Sequence, residues 1–298
     1  MKNYGLTRLF PRLIPVFQAA AHKMLNFTDY KYQKQQINNQ NIIRDFSILE
    51  CIEADLVNHY FNELDSILLF CSKYTINEMV LVGESKDGSY ATTLNSIKNK
   101  IWITVGIGSH YEFEFELVNR GVTVFGFDLN ISKSRKVPEN LNLIEKFWGT
   151  SDTKNSMTMN SMLSLAKVSS GTEWCLKFDI EGAEWELLDQ VLNVANMPKF
   201  IVCELHDLVP RNDDAFVRVK LANLKKLSEF YVPIFIKPNN YSAYVIHENV
   251  GLYDVLEVTW MLRDETTEAN LNYLPIDNSL IVLNDEKRPM FPLGSIRN

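Results

Sequence analysis

Between Asn41 and about Tyr74 the apolar residues Ile43, Phe46, Leu49, Ile52, Leu56, Tyr60, Leu64, Ile67, Leu68 and Cys71 recur every three or four positions. That period predicts an amphipathic packing helix, or two with a short break. The polar run Gln33-Lys-Gln-Gln-Ile-Asn-Asn-Gln-Asn41 before it reads as a linker or loose helix end. After Met79 the texture changes. Ile101-Trp-Ile-Thr-Val105 is an unbroken apolar strand, Gly106-Ile-Gly-Ser109 a turn, and residues 111–119 a helix. Further strands are expected at 122–127, 141–147, 174–180 and 200–205, with helical periods at 183–194 and 214–230. Alternating strands and helices with continuously apolar strands predict an α/β fold, a doubly wound, mostly parallel sheet covered on both faces. Strand-like runs at 231–236, 255–261 and 279–283 predict an antiparallel completion of the sheet edge. Residues 1–75 are thus expected to form a helical extension and linker, and 76–298 the sheet domain.

Composition narrows the partners. The chain has 298 residues, 46% of them apolar, and 30 Lys and Arg against 37 Asp and Glu give a formal net charge of -7. An acidic surface repels phosphate backbones and anionic lipid, so binding of nucleic acid or membrane surface through bulk charge is not expected. No uninterrupted apolar stretch approaches the roughly 20 residues of a membrane span. Cys51, Cys71, Cys175 and Cys203 lack metal-ligand spacing and read as reduced core residues of a cytoplasmic protein. Lys2, Arg8 and Arg12 ahead of Leu13-Ile-Pro-Val-Phe-Gln-Ala-Ala-Ala21 resemble a short secretory signal, although Pro15 and Gln18 interrupt its apolar core.

In doubly wound sheets, ligands bind outside the carboxyl ends of the strands, which makes the turn after the first strand the place to look. Gly106 and Gly108 remove Cβ atoms where strand meets helix, so a ligand can approach the backbone there, with Ser109 closing the turn. Asp128 ends the next strand about 20 residues on, where a carboxylate can accept from both hydroxyls of a ribose. The third glycine of a dinucleotide fingerprint would fall at Tyr111, and no P-loop Lys-Ser or Lys-Thr follows. S-adenosylmethionine, which has no phosphate, fits this turn better than NAD or ATP.

Val105-Gly-Ile-Gly-Ser-His-Tyr-Glu-Phe-Glu-Phe115, Phe127-Asp128, Leu176-Lys-Phe-Asp-Ile-Glu-Gly-Ala-Glu184 and Val202-Cys-Glu-Leu-His206 together resemble the FkbM-type class I methyltransferases. Lys86-Asp-Gly-Ser-Tyr90, Asn239-Asn240 and Val255-Leu-Glu-Val-Thr259 extend the likeness over residues 79–285. Ser89 replaces a glycine common in relatives, and Lys237 stands where they often carry a histidine. The resemblance implies the seven-stranded Rossmann-like sheet of that class, and transfer of the sulfonium methyl group to oxygen on a sugar, glycan precursor or natural product. A neutral hydroxyl acceptor needs a base. Asp179 is expected to face the cofactor or acceptor, with Glu181 or His206 taking the proton and Glu204 at the neighbouring strand end. Glu184 reads chiefly as a helix-start acid that complements the dipole. Lys177 fits a buried ion pair as well as a substrate contact. Asp152 is placed to approach the adenine amino group, although an exposed turn aspartate explains it nearly as well.

Asp179 and Glu204 can alternatively be read as ligands for a hard divalent ion such as magnesium. An NAD(P)-dependent oxidoreductase would need a pyrophosphate turn and a hydride-transfer acid, and Tyr30 and Lys34, the one Tyr-x-x-x-Lys spacing near a helix, precede the first strand. A non-catalytic binding protein on the same fold is the third reading, against which stands every acid of the fourth-strand motif. Base methylation of nucleic acid is disfavoured because Asp179-Ile-Glu-Gly182 occupies the place of an Asn/Asp-Pro-Pro-aromatic segment. The N-terminal helices are expected to cap the acceptor cleft or to mediate a homo-oligomer.

Overall fold

A computed structural model describes residues 54–69, 71, 74–83, 88–98, 100–108, 111–131, 137–210, 214–263, 274–275 and 278–295. Cys51, the signal-like segment, the polar linker, Tyr30, Lys34 and the first part of the expected 41–74 helix lie outside them, as does Ser109. Seven strands form the central sheet: β1 Ile101–Val105, β2 Thr123–Phe127, β3 Leu141–Ile144, β4 Trp174–Phe178, β5 Phe200–Leu205, β6 Tyr231–Pro238 and β7 Leu256–Leu262. Their order is β3-β2-β1-β4-β5-β7-β6, parallel except for β7, which runs antiparallel to both of its neighbours. This is the Rossmann-like class I architecture. The strand order reverses at β1 and β4, so the crevice expected to take a ligand opens beyond Val105 and Phe178.

The antiparallel strand is inserted one place in from the edge. Six of the seven β7 residues are buried, as suits a strand covered on both faces of the sheet. β6 takes the edge instead, where Pro233, which cannot donate to a ladder, coincides with an irregularity in the pairing. The strand expected at 279–283 does not form. Asn278–Leu280 is a 3₁₀ turn, and the carbonyl of Val282 accepts from the Lys237 ammonium at 3.0 Å instead of from a ladder. A short apolar run does not distinguish a strand from a packed coil.

Helices α1 Ala54–Ile67, α3 Met159–Leu165, α4 Glu184–Leu192 and α5 Asp214–Phe230 pack on one sheet face around Ile103, Leu176, Phe178, Ile201 and Cys203. α2 Glu112–Asn119 and the hairpin of Met79–Val82 with Tyr90–Thr93 cover the other, around Trp102, Val124, Cys175 and Val202. This second face carries polar groups into the interior: Lys177 on β4, Glu204 on β5, Glu257 on β7 and Lys237 on β6 are all buried. Lys237 pairs with Glu257 at 2.8 Å, and Glu257 stands opposite Glu204 in the register of β5 with β7. Cys71, Cys175 and Cys203 are buried, and burial raises the Cys175 thiol far above its ordinary 9.0. Such thiols are core residues, not nucleophiles. Among the described residues no helix is long and apolar enough to cross a membrane.

Candidate active site

The two glycines of the first turn serve different ends. Gly106 has φ +75, and a Cβ there would lie 1.7 Å from the backbone oxygen of Asp179, so chain crossing between the tips of β1 and β4 by itself demands glycine. Gly108, at φ +56, has nothing within 4 Å of its Cβ position and faces open space. Its N–H donates to Asp128 Oδ2 at 2.9 Å, while the Asn130 N–H donates to Oδ1 at 2.7 Å. Asp128 therefore braces the turns after both β1 and β2 from a half-buried position at the end of β2. α2 starts at Tyr111 without a side-chain cap, and its first turn carries Glu112 and Glu114. Glu114 turns inward and is fully buried, which leaves Glu112 as the acid at the helix start that opposes a bound phosphate.

Asp152 has a local task. Its Oδ1 accepts from the Thr158 N–H at 2.7 Å and its Oδ2 from the Ser161 hydroxyl at 2.5 Å, at the start of α3. The Ser161 and Thr158 bonds hold its carboxyl below the ordinary 3.8. A depressed acid stabilises the fold fully above its unfolded value, and that contribution disappears as pH falls from 3.8 through the folded value. Asp152→Ala is accordingly expected to lower the Tm at pH 7 and to abolish part of the Tm loss seen on acidification. Equal acid sensitivity in variant and parent, by thermal melts, would remove this role.

Beyond β4 and β5 the acids converge on one imidazole. His206 Nδ1 bonds Glu184 Oε1 at 2.9 Å, and its Nε2 faces Asp179 Oδ1 at 3.8 Å and Glu204 Oε2 at 3.9 Å. Glu184 is the first residue of α4 and fully buried, and its Oε1 also accepts from the Ile180 N–H at 3.2 Å. Trp185 next to it donates from its indole to the His206 carbonyl at 2.8 Å, so one helix start fixes both ring and backbone of His206. Burial by itself works against the imidazolium. The hydrogen bond to Glu184 and the charges of Glu184, Glu204 and Asp179 outweigh it, holding His206 well above the ordinary 6.5. Burial, reinforced by the Asp179 charge, pushes Glu204 well above 4.5, despite a 2.7 Å bond from the Asn239 amide to Oε1.

Asp179 accepts from the Tyr90 hydroxyl at 3.1 Å through Oδ2. Glu181 is exposed and has φ +57, Asp207 has φ +55, and left-handed non-glycine residues in both loops mark strain at this rim. Glu181, not Glu204, joins Asp179 and His206 in a group whose ligand atoms lie within 4.8 Å of one another. Such groups are common without an ion. Lys177 forms the buried ion pair, with Glu114 of α2 at 3.7 Å.

The structure thus brings Asp179, Glu181, Glu204 and His206 together, and places Gly106, Gly108 and Asp128 around the adjoining turn. Sequence reasoning undervalued Glu184. Its partner His206 lies 22 residues away on another strand end, and no local period records that pairing. Tyr90 was visible only as a motif residue.

No family model matches the chain, and no curated protein does. Solved structures do. A protein described as a hemolysin, from Lactococcus lactis, is 14% identical over 57% of this chain and 80% of its own, with a TM-score of 0.36. The fibrillarin pre-rRNA processing protein of Methanococcus jannaschii is 8% identical over 57% and 70%, at 0.34. A dimethyladenosine transferase from Plasmodium falciparum is 12% identical over 59% and 62%, at 0.33. The fold assignment stands on the strand order itself.

Proposed function

We propose that this chain is an S-adenosylmethionine-dependent methyltransferase resembling the FkbM type, which methylates a hydroxyl oxygen of a sugar, glycan precursor or natural product. The observation that carries the reading is the Glu184–His206 pair: a buried carboxylate orients an imidazole whose other nitrogen faces the part-buried Asp179 and the buried Glu204 at the sheet tips. The open space at Gly108 and the half-buried carboxylate of Asp128 suit an adenosyl group, and Glu112 at the α2 start disfavours a pyrophosphate there. Bound against that turn, S-adenosylmethionine supplies a methyl carbon activated by its sulfonium.

His206 Nε2 takes the acceptor's proton while the new oxygen–carbon bond forms and the sulfur–carbon bond breaks, its electron pair staying on sulfur. Glu184 selects the tautomer with the proton on Nδ1 and stabilises the imidazolium that results, the logic of a carboxylate–histidine dyad. Asp179 holds the acceptor hydroxyl in line, and Glu204 with Asn239 closes the far wall. Much of the acceleration in such a displacement comes from alignment of three atoms. Glu181, which is exposed, contributes to the rim.

Calorimetric titration tests the cofactor half without an acceptor. S-adenosylhomocysteine is expected to bind and NAD to give no heat. Asp128→Ala, which removes the ribose acceptor and the brace on Gly108, should weaken S-adenosylhomocysteine by about tenfold or more, the scale of one charged hydrogen bond of about 1.5–3 kcal/mol. Binding of NAD alone would overturn the reading. The acceptor half is tested by a radiolabelled-methyl transfer screen over sugars and glycolipid precursors, with and without magnesium. Methyl transfer lost on chelation and restored by magnesium would favour the metal-assisted alternative at the acid cluster.

A further inference from the structure

Across the second sheet face runs a connected buried chain of groups. Glu114 of α2 lies 3.7 Å from the Lys177 ammonium, with both side chains almost fully enclosed. The same ammonium stands 4.8 Å over the centre of the Tyr90 ring. Tyr90 packs edge-to-face on Phe113 at 5.6 Å, and its hydroxyl reaches Asp179 Oδ2 at 3.1 Å. Tyr90 opens the second strand of the covering hairpin, which the Thr259 hydroxyl pins to β7 through the Ala91 carbonyl. The ring is therefore held on two sides, by a cation and by an aromatic edge, contacts that gain strength in a desolvated interior. A rigid donor of this sort fixes the rotation of the carboxylate that it touches. With Oδ2 engaged by Tyr90, Oδ1 is the oxygen left facing His206 Nε2.

We infer that Tyr90 is a positioning residue of the methyl-transfer site: clamped by Lys177, its hydroxyl sets the rotation of Asp179 so that the second carboxylate oxygen is presented to His206 and to the acceptor. The inference rests on the proposed function for its catalytic meaning, but its geometry is testable with neither cofactor nor acceptor. Among the described residues, Lys177 and Glu114 connect to Asp179 by way of Tyr90. The chain also joins the start of α2, beside the Gly108 turn, to the acid cluster, so the wall of the cofactor cleft and the acceptor acids share one rigid support.

The test is the titration of the His206 ring in the full chain labelled in its histidines, one of five, assigned with His206→Gln. The groups facing that ring are Glu184 from α4, Asp179 and Glu181 from beyond β4, and Glu204 from β5. Asp179→Asn removes one carboxylate charge and is expected to lower the His206 midpoint by about 1 pH unit. Tyr90→Phe removes a single oxygen and keeps the ring on Phe113 and Lys177. If the hydroxyl holds Asp179 in place, the freed carboxylate turns toward solvent and the midpoint falls at least half as far as in Asp179→Asn. A purely structural tether would lower the Tm of Tyr90→Phe and leave the His206 midpoint where the parent has it. That outcome overturns the inference, as does an Asp179→Asn midpoint equal to the parent's. Failure of the chain to transfer methyl groups would strike the proposed function and leave this titration unaffected.

Discussion

Replacing His206 by asparagine is expected to lower kcat for methyl transfer by about 10²- to 10⁴-fold, the usual contribution of a positioned general base. The affinity for S-adenosylhomocysteine should stay within about twofold, because the imidazole faces Asp179 and Glu204 rather than the Gly108 turn. Glu184→Gln is expected to give a smaller loss of the same kind. The amide can still accept at His206 Nδ1, but it no longer stabilises the imidazolium, and its NH₂ can impose the wrong tautomer. A fall of less than about threefold in His206→Asn, in single-turnover assays with an acceptor found by the methyl-transfer screen, would dismiss the histidine as base.

The pH dependence separates this role from a structural one. Because the hydrogen bond to Glu184 and the charges around the ring outweigh burial and raise His206 above 6.5, the ring holds its proton to higher pH than a free imidazole and becomes a proton acceptor only as it deprotonates. Turnover is therefore expected to climb about tenfold per pH unit below the His206 midpoint and to level off beyond it, at a pH above the ordinary 6.5. Stability moves the other way. A histidine whose folded value is raised contributes stability that is fully present below its unfolded pKa and is lost as pH rises through the folded one. The alkaline range in which the site gains activity is thus the range in which it gives up part of its electrostatic support. Opposed slopes of rate and Tm against pH, both flattened in His206→Asn, are the expected signature.

How much of this was legible in the sequence follows from the range of each interaction. β1, β4 and β5 are buried on both faces, so their residues read as nearly unbroken apolar runs, interrupted by Thr104, Lys177 and Glu204, and the alternation with helices points to the parallel sheet. The expected third strand ran to 147, but Glu145 and Lys146 interrupt it, and Phe147–Trp148 pairs instead with Ser156–Met157. The hairpins over 79–93 and 244–253 left only a diffuse β-rich texture, because their pairing is decided by what they cover. The site shows the same division. Asp179, Glu181, Glu204 and His206 could be placed because each ends a recognisable strand. Glu184 on His206 and Tyr90 on Asp179 could not, since 22 and 89 residues separate the partners and only the fold closes those loops. The sequence offers Gly106 and Gly108 as one ligand-facing pair, whereas chain crossing accounts for the first, a distinction that depends on where β4 ends.

Substituting those two glycines separates a packing role from a binding role, and the expected effects are large. A methyl group at Gly106 would fall 1.7 Å from the Asp179 carbonyl oxygen and 2.7 Å from its carbon, both backbone atoms in a strand tip tied to β1 by the Asp179 N–H to the Val105 carbonyl at 3.1 Å. Neither partner can give way without opening the center of the sheet. To this the left-handed φ adds about 1–2 kcal/mol for any L side chain. Gly106→Ala is therefore expected to lose more than about 4 kcal/mol, a large share of the roughly 5–15 kcal/mol that holds a domain together, and to shift Asp179 away from His206 in whatever fraction remains folded. Gly108→Ala meets nothing within 4 Å and bears only the backbone cost, about 1–2 kcal/mol, so it should fold with a modest drop in Tm. Its methyl group instead enters the open space assigned to the adenosyl group. S-adenosylhomocysteine affinity is expected to fall about tenfold or more, although the variant melts only slightly below the parent. Urea unfolding and calorimetry on the two variants decide the matter: equal destabilisation would contradict the open space at Gly108, and an unaltered Kd in Gly108→Ala would move the ligand away from this turn.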